Sequence, residues 1–289
     1  MIIDAHCHIY PPEIIRDAER IARKERYFAR LIEGKVHRWS TAEDVVRQMD
    51  EDGIDQSWIF GFAFADLGLC SLCNDYVIDA VGKYGDRFAG LAVVPPLARG
   101  ADEEILRCRT QGLVGVGELF PQGQNFDITD VRQTWRLAGM LHELNMFLLL
   151  HSAEPVGHDY PGKGTVGPKE AAELCLHHPE LCVLFAHFGG GLWLYELMPE
   201  MRLALSNAYY DSAAWPWLYS PDVLPAMVSA GVQGKILYGS DFPILTLSRY
   251  EQLLRQCGLP GEIEERFLSR NALSLLHGRD ALRNDAPRA

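Results

Sequence analysis

Two histidines one residue apart, in the opening run Ile2-Ile3-Asp4-Ala5-His6-Cys7-His8, share a face if that run is a strand, because strand side chains alternate. An apolar strand that presents two imidazoles together leaves ring nitrogens in need of partners, and a metal ion satisfies both. Three further polar residues stand where apolar runs end. His151 follows Met146-Phe-Leu-Leu-Leu, His187 follows Val183-Leu-Phe-Ala, and Asp241 follows Ile236-Leu-Tyr-Gly-Ser. Imidazole and carboxylate donors suit zinc first, and three or four of them with one open position describe a catalytic site rather than a structural one. Any one alone is more commonly a loop-anchoring hydrogen bonder, but five strand-end donors in one chain make a constellation.

These residues need elements that bring strand ends together. Eight short apolar runs recur: 2–5, 57–60, 90–94, 114–117, 146–150, 183–186, 208–210 and 236–238. Most are continuously apolar, as strands covered on both faces of a parallel sheet are. Helical periodicity fills the intervals near 102–111, 130–144, 168–178, 220–230 and 249–257, and Ser40-x-x-Glu43 reads as a capping box ahead of Val45, Val46 and Met49. Eight strand-helix units predict an α/β chain folded as a distorted TIM barrel, one domain over 1–289, with the donors converging on its C-terminal mouth. Residues 11–39 interrupt the alternation and read as a helical insertion after strand one, either a lid over the mouth or a helix packed on the barrel side. The polar tail after His277 is expected to fray.

The chain has 289 residues, 48% of them hydrophobic, enough for a large core. With 27 Lys and Arg against 39 Asp and Glu, a net charge of -12 argues against nucleic acid and anionic membranes as partners and leaves a small molecule as the expected substrate. No apolar run approaches the roughly 20 residues of a membrane span, and the N-terminus has no signal-peptide pattern, so a cytoplasmic protein is expected. Seven scattered cysteines predict reduced thiols.

Softer candidates lie in the Gly- and Pro-rich loop after strand five, where Glu154, His158, Tyr160 and Lys163 could meet substrate. Asp211, ending strand seven, is expected to hold loops or orient a ligand. Trp215, Trp217, Phe62 and Phe64 could line an apolar pocket or simply pack.

The motifs Asp4-Ala-His6-Cys-His8, Leu150-His151, Ala186-His187-Phe-Gly-Gly190, Tyr210-Asp211-Ser-Ala, Gly239-Ser-Asp241-Phe-Pro243 and Arg270-Asn271-Ala272 occur in the order of the amidohydrolase superfamily. Over essentially its whole length the sequence resembles the amidohydrolase-related branch. That resemblance implies His6, His8, His151 and Asp241 as metal ligands, and His187 as either a further ligand or a general acid/base. It also implies one divalent ion, and relatives that are often dimers or larger point to a homo-oligomer. Glu118, in Val114-Gly-Val-Gly-Glu118, ends strand four, where some relatives place a metal-bridging carboxylate or modified lysine; it either bridges a second ion or orients a ligand histidine.

The expected activity is hydrolysis of a small amide, ester or lactone, with Asp241 taking the proton of an attacking water and His187 hydrogen-bonding the developing oxyanion or relaying a proton. The alternative is nonoxidative decarboxylation of an aromatic or dienoic acid, since the same branch resembles aminocarboxymuconate semialdehyde decarboxylase. Decarboxylation calls for a cation at the mouth to hold a carboxylate, and Lys163 and Arg249 are the nearest candidates. A phosphodiesterase of the TatD type, suggested by Glu118, is opposed by the acidic surface, and a non-catalytic metal protein would require His158 to fill the open position.

Overall fold

The computed structural model describes residues 1–34 and 36–284. Eight parallel strands lie in sequence order: β1 (Ile3–His8), β2 (Gln56–Phe60), β3 (Phe88–Ala92), β4 (Gly115–Leu119), β5 (Phe147–Leu150), β6 (Val183–Phe185), β7 (Ala208–Asp211) and β8 (Ile236–Leu237). The sheet curls nearly closed. β8 is only two residues long, and the seam to β1 is made by separate hydrogen bonds, Ala5 N to Tyr238 O (2.9 Å), Asp241 N to His6 O (3.1 Å) and His8 N to Phe242 O (2.8 Å). This is the distorted TIM barrel the alternation predicts.

Alternation along the strands sorts the core into two layers. Ile3, Ala5, Trp58, Phe60, Ala89, Leu91, Phe147, Leu149 and Leu184 fill the barrel, while Ile59, Val116, Leu148, Leu150, Val183 and Phe185 pack outward beneath the helices. A final helix, Asn271–Asn284, places Ala272 and Leu275 against the inner layer. It runs past His277, where fraying was expected, and the last five residues of that tail lie outside the described residues.

Strict alternation would aim the site residues wrongly. Ile3 and Ala5 point inward, so the next inward residue should be Cys7, yet Cys7 packs in the outer layer. A register shift between Asp4 and Cys7 turns the strand by one residue, sending His6 and His8 into the mouth. The amide of His6 at this bulge donates to Asp4 Oδ1 (3.1 Å), which also accepts from Ser240 N (2.9 Å) and so ties β1 to the chain beyond β8. In β4 a second shift, between Val116 and Leu119, brings Glu118 inward. Only glycine fits at 117: φ is +134° and a Cβ would lie 2.0 Å from Leu149 O.

Several local expectations need correction. Residues 11–39 form three short helices rather than one: α1 (Pro12–Arg16), α2 (Ala18–Ala22) and α3 (Arg26–Ile32). The chain turns at Asp17 and again at Glu25, whose carboxylate accepts from Ala65 N and Asp66 N (both 3.0 Å). α4 (Ala42–Asp52) starts one residue later than expected, its capping box being Thr41 and Asp44. Ser40 instead donates to His8 O, fixing the end of β1. The longest helix, α5 (Leu67–Tyr84), escaped the periodicity because its apolar residues do not gather on a narrow stripe. α6 (Ala101–Thr110) and helices Val131–Glu143, Pro168–His177, Val223–Ser229 and Leu247–Cys257 make the remaining crossovers near their expected places. No described helix is long and apolar enough to cross a membrane, and none of the seven cysteines is in a disulfide.

Candidate active site

His6 and His8 from β1, Glu118 from β4, and His151, His187 and Asp241 from just beyond β5, β6 and β8 converge at the barrel mouth. His6 Nε2 lies 3.6 Å from Glu118 Oε2 and 3.7 Å from Asp241 Oδ1. His8 Nε2 lies 3.6 and 3.5 Å from the same two oxygens. The other oxygen of Glu118, Oε1, is 2.9 Å from His151 Nδ1 and 3.7 Å from His187 Nε2. Glu118 therefore sits between two groups of donors, His6, His8 and Asp241 on one oxygen and His151 and His187 on the other, each group with its donor atoms within 4.8 Å of one another when Glu118 is counted with the second.

Two observations fit this donor set to a divalent ion. Donors about 2.0–2.2 Å from a tetrahedral ion lie roughly 3.3–3.6 Å from each other, close to the 3.5–3.7 Å separations here, which are too long for hydrogen bonds. In addition, His6 Nε2 is fully buried and has no hydrogen-bond partner.

The rings are also held in the tautomers a metal needs. His6 Nδ1 is 2.9 Å from Asp211 Oδ2, His187 Nδ1 is 2.9 Å from Ala213 O, and His151 Nε2 is 3.1 Å from Lys163 O. Each of these nitrogens donates to an oxygen, so the opposite nitrogen of each ring, the one facing the cluster, is the one a metal would take once it displaces the proton there; without a metal His151 Nδ1 donates to Glu118 Oε1. Asp211 does the anchoring expected of it: its Oδ1 accepts from His187 N (3.0 Å) and Ala213 N (2.9 Å) while Oδ2 holds His6. His187 and Asp241 adopt left-handed backbone at φ 55° and 66°, costly for residues with a Cβ and tolerated here at the reacting end of the barrel.

Charges reinforce one another across the cluster. Burial disfavours ionised Glu118, but the imidazoles of His6 and His151 hold it well below the usual carboxylate range. Burial likewise opposes ionised Asp241, and the imidazoles of His8 and His6 beside it outweigh that and lower it. Burial disfavours the charged imidazoles, but Asp211 and Glu118 raise His6, and Glu118 and Asp241 raise His187 to about 9. Such mutual stabilisation is what a cation between the groups would supply in place of protons.

Above the cluster opens a cavity of about 610 Å³. His8, Glu118, His151, His187 and Asp241 form its floor, and its walls are aromatic: Tyr10, Tyr27, Phe62, Phe120, Tyr160 and Trp217. Of the four aromatic candidates, Phe62 and Trp217 reach the cavity, while Phe64 and Trp215 are fully buried packing. The segment after α3 forms one wall through Gly34, Val36, His37 and Arg38. His158 lines the rim; Glu154 lies behind it, accepting from Tyr160 Oη at 3.3 Å. Lys163 turns its ammonium to the carbonyls of Val156 (2.7 Å) and His158 (2.9 Å) rather than to the cavity, and Arg249 is exposed on its helix. The arginine on the cavity wall is Arg38, which the sequence reading missed because it sits in an irregular segment with no motif around it.

A protein-family model for amidohydrolases (Amidohydro_2) matches residues 3–278. The chain belongs to this amidohydrolase family. No curated protein matches it by sequence. Among solved structures, it is similar to 5-carboxyvanillate decarboxylase from Sphingomonas paucimobilis, with 14% identity, a TM-score of 0.74, and 96% of this chain and 98% of the other covered. A 2,6-dihydroxybenzoate decarboxylase complexed with 2,6-dihydroxybenzoate aligns at 17% identity and TM-score 0.70, covering 95% and 98%. A dihydroxybenzoic acid decarboxylase from Polaromonas, solved with manganese and the inhibitor 2-nitroresorcinol, aligns at 18% and 0.69, covering 95% and 96%. At these identities the likeness establishes the barrel. The amidohydrolase is thus a metal-dependent enzyme of the superfamily, its donors gathered beneath one deep cavity.

Proposed function

We propose that this amidohydrolase-family enzyme is a metal-dependent nonoxidative decarboxylase of an aromatic acid. The observation that carries the reading is the cavity: aromatic walls, a metal-donor floor and, among its lining residues, Arg38, whose guanidinium also donates to His37 O (2.8 Å). A flat ring fits between such walls, and the Arg38 guanidinium suits a carboxylate or phenolate. Residues 11–39 carry eight Lys and Arg against five Asp and Glu in a chain of charge -12, so the segment beside the cavity is a local attractor for an acid. The solved relatives that act on hydroxylated aromatic acids support the same substrate class.

His6, His8 and Asp241, with Glu118 Oε2, would hold the ion, and His151 Nδ1 completes the donors around Glu118, leaving His187 Nε2 for proton transfer. When bound, the metal supplies Lewis acidity toward a substrate oxygen. Manganese is the ion to load first, given the Polaromonas relative; zinc, the expectation from ligand type, suits the same donors. The chain's own residues do the rest. The walls orient the ring and exclude water, and His187, whose Nδ1 is committed to Ala213 O, exchanges its proton through Nε2. That proton goes to the ring carbon bearing the carboxylate; the carbon-carbon bond breaks, its electron pair stays with the ring, and carbon dioxide leaves, with one proton consumed per turnover.

One observation favours hydrolysis as the second reading: Asp241, held ionised beside the two β1 histidines, is suited to take a proton from an attacking water. The manganese-loaded enzyme, incubated with hydroxylated benzoates and in parallel with lactones, esters and amides, separates the two. Release of carbon dioxide with one equivalent of the decarboxylated phenol is expected; turnover of a lactone or ester without carbon dioxide would overturn the decarboxylase reading.

A further inference from the structure

Lys163 belongs to the loop that borders the cavity, yet both its ends are engaged elsewhere. Its backbone carbonyl accepts from His151 Nε2 at 3.1 Å, and its ammonium donates to the carbonyls of Val156 (2.7 Å) and His158 (2.9 Å) while lying 5.7 Å from the Tyr160 ring centre. Those three clasped residues belong to the stretch whose His158, Tyr160, Pro161 and Gly162 line the cavity. The next residue presses on the same histidine. At Gly164, φ is +71° and a Cβ would lie 3.0 Å from His151 Cδ2, 3.2 Å from its Nε2 and 2.8 Å from Phe120 Cε2. Phe120 in turn packs edge-on against the His151 ring, centroids 4.8 Å apart.

We propose that Lys163 is a positioning residue that couples the substrate loop to the metal site: its ammonium folds the loop so that its own carbonyl fixes His151 with Nδ1 toward the metal donors. The inference rests on the donor cluster alone and holds whether the enzyme decarboxylates or hydrolyses. A loop without the clasp gives up the Lys163 carbonyl, and the His151 ring loses the acceptor that sets its tautomer and its rotation. The coupling runs in both directions, so a substrate that settles the loop from the cavity side tightens metal binding, and bound metal tightens the substrate.

The test is the affinity of the full-length protein for Zn²⁺ alone, measured by competition with a chromophoric chelator. Lys163→Met keeps the aliphatic stem and removes the donors; Lys163→Arg keeps donors that reach carbonyls. Loss of a hydrogen-bonding partner of a ligand histidine weakens metal affinity about 10–100-fold, and Lys163→Met, which acts through the loop, should fall near the lower end, about tenfold. Lys163→Arg should stay close to the parent, and the metal-free melting temperature should be the same in all three, because the ammonium is exposed. Gly164→Ala, which displaces the ring directly, should weaken Zn²⁺ binding at least as much. Unchanged affinity in Lys163→Met overturns the proposal, whatever Gly164→Ala does. So does an equal loss in Lys163→Met and Lys163→Arg, which would assign the effect to the stem. A parent protein that takes up no Zn²⁺ overturns the metal site itself and this coupling with it.

Discussion

Replacing Asp211 by asparagine changes one atom far from any solvent, and the structure fixes the consequence. Oδ1 of Asp211 accepts from two backbone amides, His187 N at 3.0 Å and Ala213 N at 2.9 Å. In Asp211→Asn the amide oxygen must stay on those donors, so its NH2 group is turned toward His6 Nδ1, at the 2.9 Å position now held by a carboxylate oxygen. Two donors then face each other. His6 relieves the clash by moving its proton to Nε2, the nitrogen that points at Glu118 and Asp241 and that a metal would use. Loss of such a carboxylate-histidine pair costs about 10–100-fold in metal affinity, or roughly 1.4–2.8 kcal/mol at 1.4 kcal/mol per tenfold. Free metal at about 100 times the parent dissociation constant stabilises the parent by about 2.7 kcal/mol; a variant binding 30-fold more weakly keeps under about 1 kcal/mol of that. The difference of about 2 kcal/mol corresponds to a loss of roughly 4 °C in metal-dependent thermal stabilisation. Chelator competition gives the affinity, and melting curves with and without metal give the stabilisation. Parent-like metal affinity in Asp211→Asn would refute the argument that His6 coordinates through Nε2 with its tautomer set by Asp211.

Glu118→Gln should lower metal affinity by more than Asp211→Asn, because it removes the charge shared by both donor groups; chelator competition reads the affinity, and elemental analysis of the parent and the variant reads whether one ion or two is carried. Arg38→Gln should raise KM for an acid substrate about tenfold or more, the worth of a hydrogen bond to a charged group, with little change for a neutral analogue, as steady-state kinetics on both will tell. Gly117→Ala places a Cβ 2.0 Å from Leu149 O and should destabilise the barrel by about 3 kcal/mol or more, visible in urea unfolding. Glu104 is buried, which works to raise its pKa, but hydrogen bonds from Arg107 (2.8 Å) and Asn74 (2.8 Å) outweigh burial and lower it. Its contribution to stability is therefore present above the ordinary carboxylate range and is lost as pH falls through the lowered value. Glu104→Gln should cost about 1–2 kcal/mol at pH 7, a gap that narrows in unfolding curves taken progressively below pH 4.

The barrel was legible because continuous apolar runs and strand-helix alternation are properties of composition and period, and nothing local competes with them. The strand-end positions of His151, His187 and Asp241 followed from the same signal. Helix α5 was lost for the converse reason: its apolar residues extend well around the cylinder, so the period that marks a surface helix is blurred. The division of residues 11–39 into three helices depends on Glu25 reaching the amides of Ala65 and Asp66, forty residues away, a contact that no local pattern announces.

The aim of the site was harder to read than its membership. Period-two reasoning put His6 and His8 on one face but could not say which face, and carried on from Ile3 and Ala5 it would have turned them toward the helices. The bulge that reverses this is held by Asp4, the acid that opens the motif, through the amides of His6 and Ser240. The corresponding shift at Glu118 needs a residue without a side chain at 117, and the Gly115-Val-Gly117 pattern was present in the sequence as the trace of it. A glycine or a short acid beside an intended donor therefore carries information about where that donor points. The same logic places Gly164 against His151 and makes the neighbouring Lys163, read from sequence as a substrate contact, part of the machinery that aims a ring. Donor type tells which residues can meet a metal; the small and acidic residues next to them tell which way they face.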